Sequence, residues 1–265
     1  MFAHVMQAEW TKLISLRSTA IALVAAAALT VLLTILATSG TEIRCEPPPC
    51  PMDDGSREDT VLLSLSGVYF GMLALGALGV LAITSEYATG TIRTTFAAMP
   101  RRLPVLAGKV LVVAALALAV GIPAAVASFY IGMEILPGSG FNELNGYPRE
   151  TLGEGDNLRA VIGTGVFFAL LTLLGLGIGA IVRHTAGAIT VVLGLAFVPL
   201  ILTGILSEKT GDLVEKLTPV TAGLAVQHTV PGDAPIGPWG GLGVLAAYTA
   251  GTLLVAGWLL VRRDA

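Results

Sequence analysis

Six apolar runs, each long enough to cross a bilayer, dominate this chain and leave little room for any fold that is not built around them. They cover about 19–39, 61–84, 105–133, 160–182, 186–206 and 239–261. Roughly 20 apolar residues in a helix cross about 30 Å of hydrocarbon, and only a helix or a closed barrel satisfies its backbone there. The runs are unbroken rather than alternating, which predicts helices. Their interiors carry no Asp, Glu, Arg or His. Lys109, near the start of the third run, is read as snorkelling to the interface, and Glu134 lies just past that run's end. Pro123 marks a place where the third span is expected to tilt or kink. The first run follows 18 residues that include Glu9 and Trp10, so it is read as a retained span rather than a cleaved leader. The expectation is an all-α integral membrane protein, a single transmembrane domain over residues 1–265.

Six spans put both termini on one side, and the charges say which. With the termini inside, the cytoplasmic segments hold Lys12, Arg17, Arg93, Arg101, Arg102, Lys109, Arg183, Arg262 and Arg263 against Glu9, Glu86 and Asp264. The outer segments then hold the other six basic and fifteen acidic residues, so a net charge of −3 conceals a basic inner face and an acidic outer one. This follows the positive-inside rule. With 54% hydrophobic and 12% charged residues, disordered chains and nucleic-acid readers are excluded.

Cys45 and Cys50 share the first outer loop, separated by Glu46 and three prolines. On an oxidising face they are candidates for a disulfide, with two free thiols as the alternative. The three histidines fall on different segments, and no metal site is expected.

Ahead of the first span, Phe2, Met6, Trp10 and Leu13 recur at helical spacing and predict an amphipathic helix in the inner interface. Between the second and third spans, Gly90 permits a sharp turn, Thr91 is placed to cap a short helix over 92–99, and Pro100 ends it. Arg93, Arg101 and Arg102 make that segment basic, suited to anionic lipid or an acidic protein surface. Residues 207–238 are too long for a tight connection. A short amphipathic helix around Leu213 and Leu217 is followed by an apolar stretch over 220–230 that either dips into the outer leaflet or packs on the surface. Gly67 with Gly71, and Gly175 with Gly179, permit close helix approach, either within one bundle or at a seam between two copies.

Chemistry for turnover is missing. Gly108-Lys109 is followed by Val110, and Leu103 stands where a phosphate loop needs its first glycine; no His-Glu-x-x-His or Gly-x-Ser-x-Gly occurs.

Four stretches carry a resemblance: Glu9-Trp10-Thr11-Lys12-Leu13 with Ser15-Leu16-Arg17-Ser18-Thr19; Ser85-Glu86-Tyr87-Ala88-Thr89-Gly90-Thr91-Ile92-Arg93; Pro100-Arg101-Arg102 through Lys109; and Leu259-Leu260-Val261-Arg262-Arg263-Asp264. On these the chain resembles the membrane subunits of type-2 ABC exporters, the ABC-2 permease family, in the small six-span form common in actinobacteria. The resemblance implies a non-enzymatic half-transporter in the bacterial cell membrane, with both termini cytoplasmic. It pairs with a second permease copy, giving a homodimer, and with a separate ATP-binding subunit that holds ATP and Mg; no cofactor is expected in this chain. It implies a coupling helix after Gly90 that docks in a cleft of the ATP-binding subunit, with Gly90 and Thr91 as its turn and cap, Glu86 and Arg93 as its polar contacts or struts, and Tyr87, Ile92, Arg101 and Arg102 completing that partner interface. The 2–13 segment becomes a connecting helix and 207–238 an outer helical hairpin. The implied activity is ATP-driven export of an amphipathic drug, lipid or peptide. Two other readings remain: a membrane immunity or sensor protein that does not transport, and an ion-coupled carrier.

Overall fold

At residue 67 the chain cannot carry a side chain: a Cβ there would stand 1.8 Å from the carbonyl oxygen of Thr30. Close approaches of this kind set the architecture in the computed structural model, which describes residues 2–43, 58–98, 102–230 and 234–262. Cys45, Cys50 and Arg101 lie outside the described residues.

The elements run α1 (Phe2–Ser15), α2 (Arg17–Gly40), α3 (Thr60–Ser64), α4 (Val68–Thr89), α5 (Thr91–Ala98), α6 (Arg102–Ile135), α7 (Gly155–Val182), α8 (Thr185–Thr203), α9 (Glu208–Leu217), α10 (Pro219–Leu224) and α11 (Pro238–Arg262). Short 3-10 turns follow α6 and α10. No strand occurs among the described residues. Among the described residues six helices, α2, α4, α6, α7, α8 and α11, are long and apolar enough to span a bilayer, with mean hydropathy from 1.9 to 2.6.

α7 is the central column. Its glycines and threonines let α4 press against it: a Cβ on Gly79 would lie 1.9 Å from the Thr172 carbonyl oxygen, and one on Gly175 would lie 2.6 Å from that of Gly76. Small residues are what allow two helix backbones to approach so closely. α6, α8 and α11 pack on the remaining sides of α7, and α2 lies across α4 and α6. The Gly67 and Gly71 pair faces Thr30 of α2, and the Gly175 and Gly179 pair faces α4. Both pairs are therefore used within the chain and leave no glycine seam there for a second copy. α2, α8 and α11 keep apolar outer faces, including Ile21, Val24, Val198, Ile201 and Leu254, as lipid-facing or partner-facing spans require.

The second apolar run divides where the sequence reads as continuous. Asp59 caps α3 by accepting from the Leu62 N–H at 2.9 Å, the helix breaks at 65–67, and α4 starts at Val68. The Thr34 hydroxyl donates to the Ser64 carbonyl at 3.2 Å, which stitches the break to α2. The spanning helix consequently ends at Thr89 and carries Glu86 inside its last turns. Pro123 sits within an uninterrupted α6.

At the end away from the termini, α10 and the turn after it are buried among α7, α8 and α11 rather than lying on the surface. Gln227 donates to the Thr164 hydroxyl at 2.9 Å. The Asp59 carboxylate accepts from the Thr229 N–H, the Thr229 hydroxyl and the Val230 N–H at 2.6, 2.9 and 3.3 Å. One carboxylate thus anchors the segment after α10 to the start of α3. Irregular backbone can persist at such depth only where protein groups satisfy it.

Candidate functional site

The densest charge chemistry gathers where α1, the last turns of α4, α5, the start of α6 and the end of α11 meet. Lys109 enters from α6 two turns after Arg102 and is 1% exposed. It does not snorkel. Its Nζ donates to Glu9 Oε2 at 2.5 Å and to Glu86 Oε1 at 2.8 Å. Lys12 donates to Glu9 Oε1 at 2.8 Å and to the same Glu86 oxygen at 2.7 Å. The four side chains close a ring of alternating sign, Glu9, Lys12, Glu86 and Lys109, with no net charge and only Lys12 substantially exposed.

The local sequence explains the ring. In α1, Val5, Glu9 and Leu13 fall on one stripe and all are buried. Met6 is partly buried and Trp10 is 45% exposed. The inward face of α1 is therefore rotated from the Phe2, Met6, Trp10 and Leu13 stripe expected from apolar spacing, because pairing draws Glu9 inward. Phe2 is the first residue of α1. Lys12, three residues after Glu9, meets it on the same face.

Burial by itself pushes the Glu9 carboxyl up. The Lys109 ammonium and hydrogen bonds from Lys109 and Lys12 outweigh that and hold it below the ordinary carboxylate value. For Lys12, burial pushes down, while hydrogen bonds and attraction from Glu86 and Glu9 win and hold it above the ordinary lysine value. A buried ion network of this type contributes little net stability against an apolar substitute, but removing one member strands a charge, at about 3–5 kcal/mol.

α5 leaves this ring directly. Gly90 ends α4 with φ +72°, a conformation that side chains rarely adopt, and its N–H bonds the Tyr87 carbonyl at 3.3 Å. Thr91 opens α5, exposed, with its hydroxyl 2.9 Å from that of Thr89. Ile92 is buried and lines a small cavity with Glu86, Lys109, Val105 and Leu260. Arg93 lies one residue further along α5. Tyr87 is half-buried beneath Arg183, whose guanidinium stands 5.0 Å from the ring centroid. Arg183 occupies a left-handed position at the end of α7, φ 58°, which makes the α7–α8 link two residues long. Arg102 donates to the Leu260 carbonyl at 2.7 Å, capping α11 with a cation where the helix dipole favours one.

Of the residues anticipated around α5, Glu86 and Ile92 thus line one cavity, Arg102 bonds the end of α11, and Tyr87 lies beneath Arg183 at the entry to α8. Glu9, Lys12, Lys109 and Arg183 complete the site without having been anticipated in it. A lone lysine inside an apolar run was the available signal. Among the described residues no cluster of His, Cys, Asp or Glu is arranged to hold a metal.

Six spanning helices around a glycine-packed column, with a charged junction at the end bearing the termini, define a multi-pass helical membrane protein. A protein-family model described as "ABC-2 family transporter protein" matches residues 50–265. The chain belongs to that family, and so is a permease component of an ABC transporter, the membrane part that associates with an ATP-binding subunit. No curated protein matches it.

Proposed function

We propose that this chain is one half of a homodimeric exporter, driven by two separate subunits that bind ATP and Mg, and that α5 is the helix those subunits push. The observation that carries the reading is the placement of α5. It is turned away by Gly90 and held by the buried Ile92 beside the small cavity that Glu86 and Lys109 also line, at the end that also bears α1 and the last turn of α11. The basic excess on that side supports cytoplasmic termini in a bacterial cell membrane. Trp10, exposed on α1, suits headgroup depth and supports α1 as an interfacial connecting helix. α9 and α10 make the outer hairpin, with α9 presenting Leu213 and Leu217 outward.

In this mechanism closure of the ATP-binding subunits displaces α5, and the spans rearrange to release an amphipathic drug, lipid or peptide outward. The chain itself supplies packing and transmission, and no residue of it acts on ATP. Co-expression with a candidate ATP-binding subunit tests this. Prolines placed at Thr94 and Thr95 are expected to abolish co-purification and the stimulated ATP turnover, while full binding and turnover after that disruption would overturn the docking role of α5.

A further inference from the structure

Three otherwise separate pieces meet at the charge ring, and how each is attached elsewhere suggests what the ring does. α1 is not continuous with the span that follows it, because Leu16 is extended, φ −80° and ψ 118°. It rests instead on α6, where a Cβ on Gly108 would lie 3.0 Å from Val5 Cγ1. α5 leaves α4 four residues after Glu86 through the glycine turn, and Ile92 is its only buried side chain among those described. α6 reaches both through one ammonium group, on Lys109.

We propose that the Glu9, Lys12, Glu86 and Lys109 ring is a mechanical joint that makes α1, the α4–α5 corner and the head of α6 move as one body. This rests on the reading of α5 as the driven helix. Each carboxylate binds both ammonium groups and each ammonium binds both carboxylates. Withdrawing the α4–α5 corner or the head of α6 therefore leaves an odd buried charge behind, and withdrawing α1 breaks both the Lys12–Glu86 and the Lys109–Glu9 contacts, where low dielectric makes separation expensive. Displacing all three together breaks nothing. Apolar contact alone would let helices slide, since it is non-directional; the three charge-assisted hydrogen bonds that run between elements fix distance and direction together. Arg102, bonded to the Leu260 carbonyl, extends the joined body to the end of α11. Glu9, Glu86 and the two lysines are positioning residues, acting through the helices they hold.

The test measures spin-label distances in the complete complex with its ATP-binding subunit in lipid nanodiscs, with Cys45 and Cys50 replaced by serine. One label pair, at exposed Gln7 on α1 and Thr94 on α5, lies within the joint. The other, Thr94 with exposed Leu144, reaches to the opposite end. Between nucleotide-free and ATP–vanadate-trapped states, the Gln7–Thr94 distribution is expected to stay fixed while Thr94–Leu144 shifts. Lys109→Met is expected to broaden Gln7–Thr94 about twofold on trapping. Should that variant not fold, the combination Glu9→Gln, Lys12→Met, Glu86→Gln and Lys109→Met leaves no charge buried unpaired, and is expected to let Gln7–Thr94 shift. A wild-type Gln7–Thr94 shift alongside a Thr94–Leu144 shift overturns the joint alone, as does an unchanged distribution in the neutralised variant. A Thr94–Leu144 distance blind to nucleotide overturns α5 as the driven helix, and the joint's transmitting role with it.

Discussion

Lys109 and Glu9 stand one hundred residues apart in the chain and 2.5 Å apart in the fold, with both side chains buried. The pair closes a ring that neither residue would tolerate losing, since a lysine or glutamate at this depth is costly without its partner. Lys109→Met is accordingly expected to destabilise the protein by about 3–5 kcal/mol, read as a lower thermal midpoint in detergent. Adding Glu9→Gln leaves one lysine against one glutamate and is expected to recover most of the loss. A double variant as unstable as the single one would contradict charge balance as the cause.

The ring also sets a pH response. Glu9 titrates below its ordinary value in the fold, so its contribution is fully present above the ordinary carboxylate range and is lost as pH falls through the lowered value. Lys12 titrates above its ordinary value, so its contribution is present below the ordinary lysine range and is lost as pH rises through the raised value. Thermal midpoints are expected to form a plateau between those limits and to decline at either end, with Glu9→Gln flattening the acid limb.

Helix approach at the central column gives a steric prediction. Gly79→Ala drives a methyl group to within 1.9 Å of the Thr172 carbonyl oxygen and must part α4 from α7, with an expected loss of about 1–3 kcal/mol or more. Gly251→Ala in α11, where nothing lies within 4 Å, is the matched control. It is expected to be neutral or to stabilise by up to about 1 kcal/mol through helix propensity. Melting both variants side by side separates packing from propensity.

At the corner, Gly90→Ala imposes a left-handed conformation on a residue with a side chain, costing about 1–2 kcal/mol. Because Gly90 aims α5 rather than supporting the spans, the expected signature is reduced co-purification with the ATP-binding subunit at a nearly unchanged spectroscopic helix content. Equal losses in both would assign Gly90 to folding alone.

At the opposite end, Asp59→Ala removes the cap of α3 and the three bonds holding Thr229 and Val230. An expected loss of about 2 kcal/mol or more follows, accompanied by faster amide exchange across 220–230.

Much of this architecture is legible in one dimension. Unbroken apolar runs specify six spans because hydrocarbon admits few alternatives, and the turn at Gly90 is visible because only glycine relieves that backbone. The break at 65–67 is not legible, since Leu65, Ser66 and Gly67 read as more of the same apolar run until Thr30 and Thr34 of α2 are brought against them. The same holds for α10, whose apolar residues fit lipid, surface or bundle equally well from pattern alone.

By itself, then, the sequence determines the solvent this protein lives in, the number of crossings and the basic end, because these depend on hydrophobicity and charge summed over local segments. Only the tertiary structure decides what Lys109 does. A lysine in an apolar run either reaches for water or finds carboxylates, and the choice turns on whether Glu9 and Glu86, contributed by two other helices, arrive within hydrogen-bond reach. Pairing at that range is a property of distance in space, which no local pattern encodes.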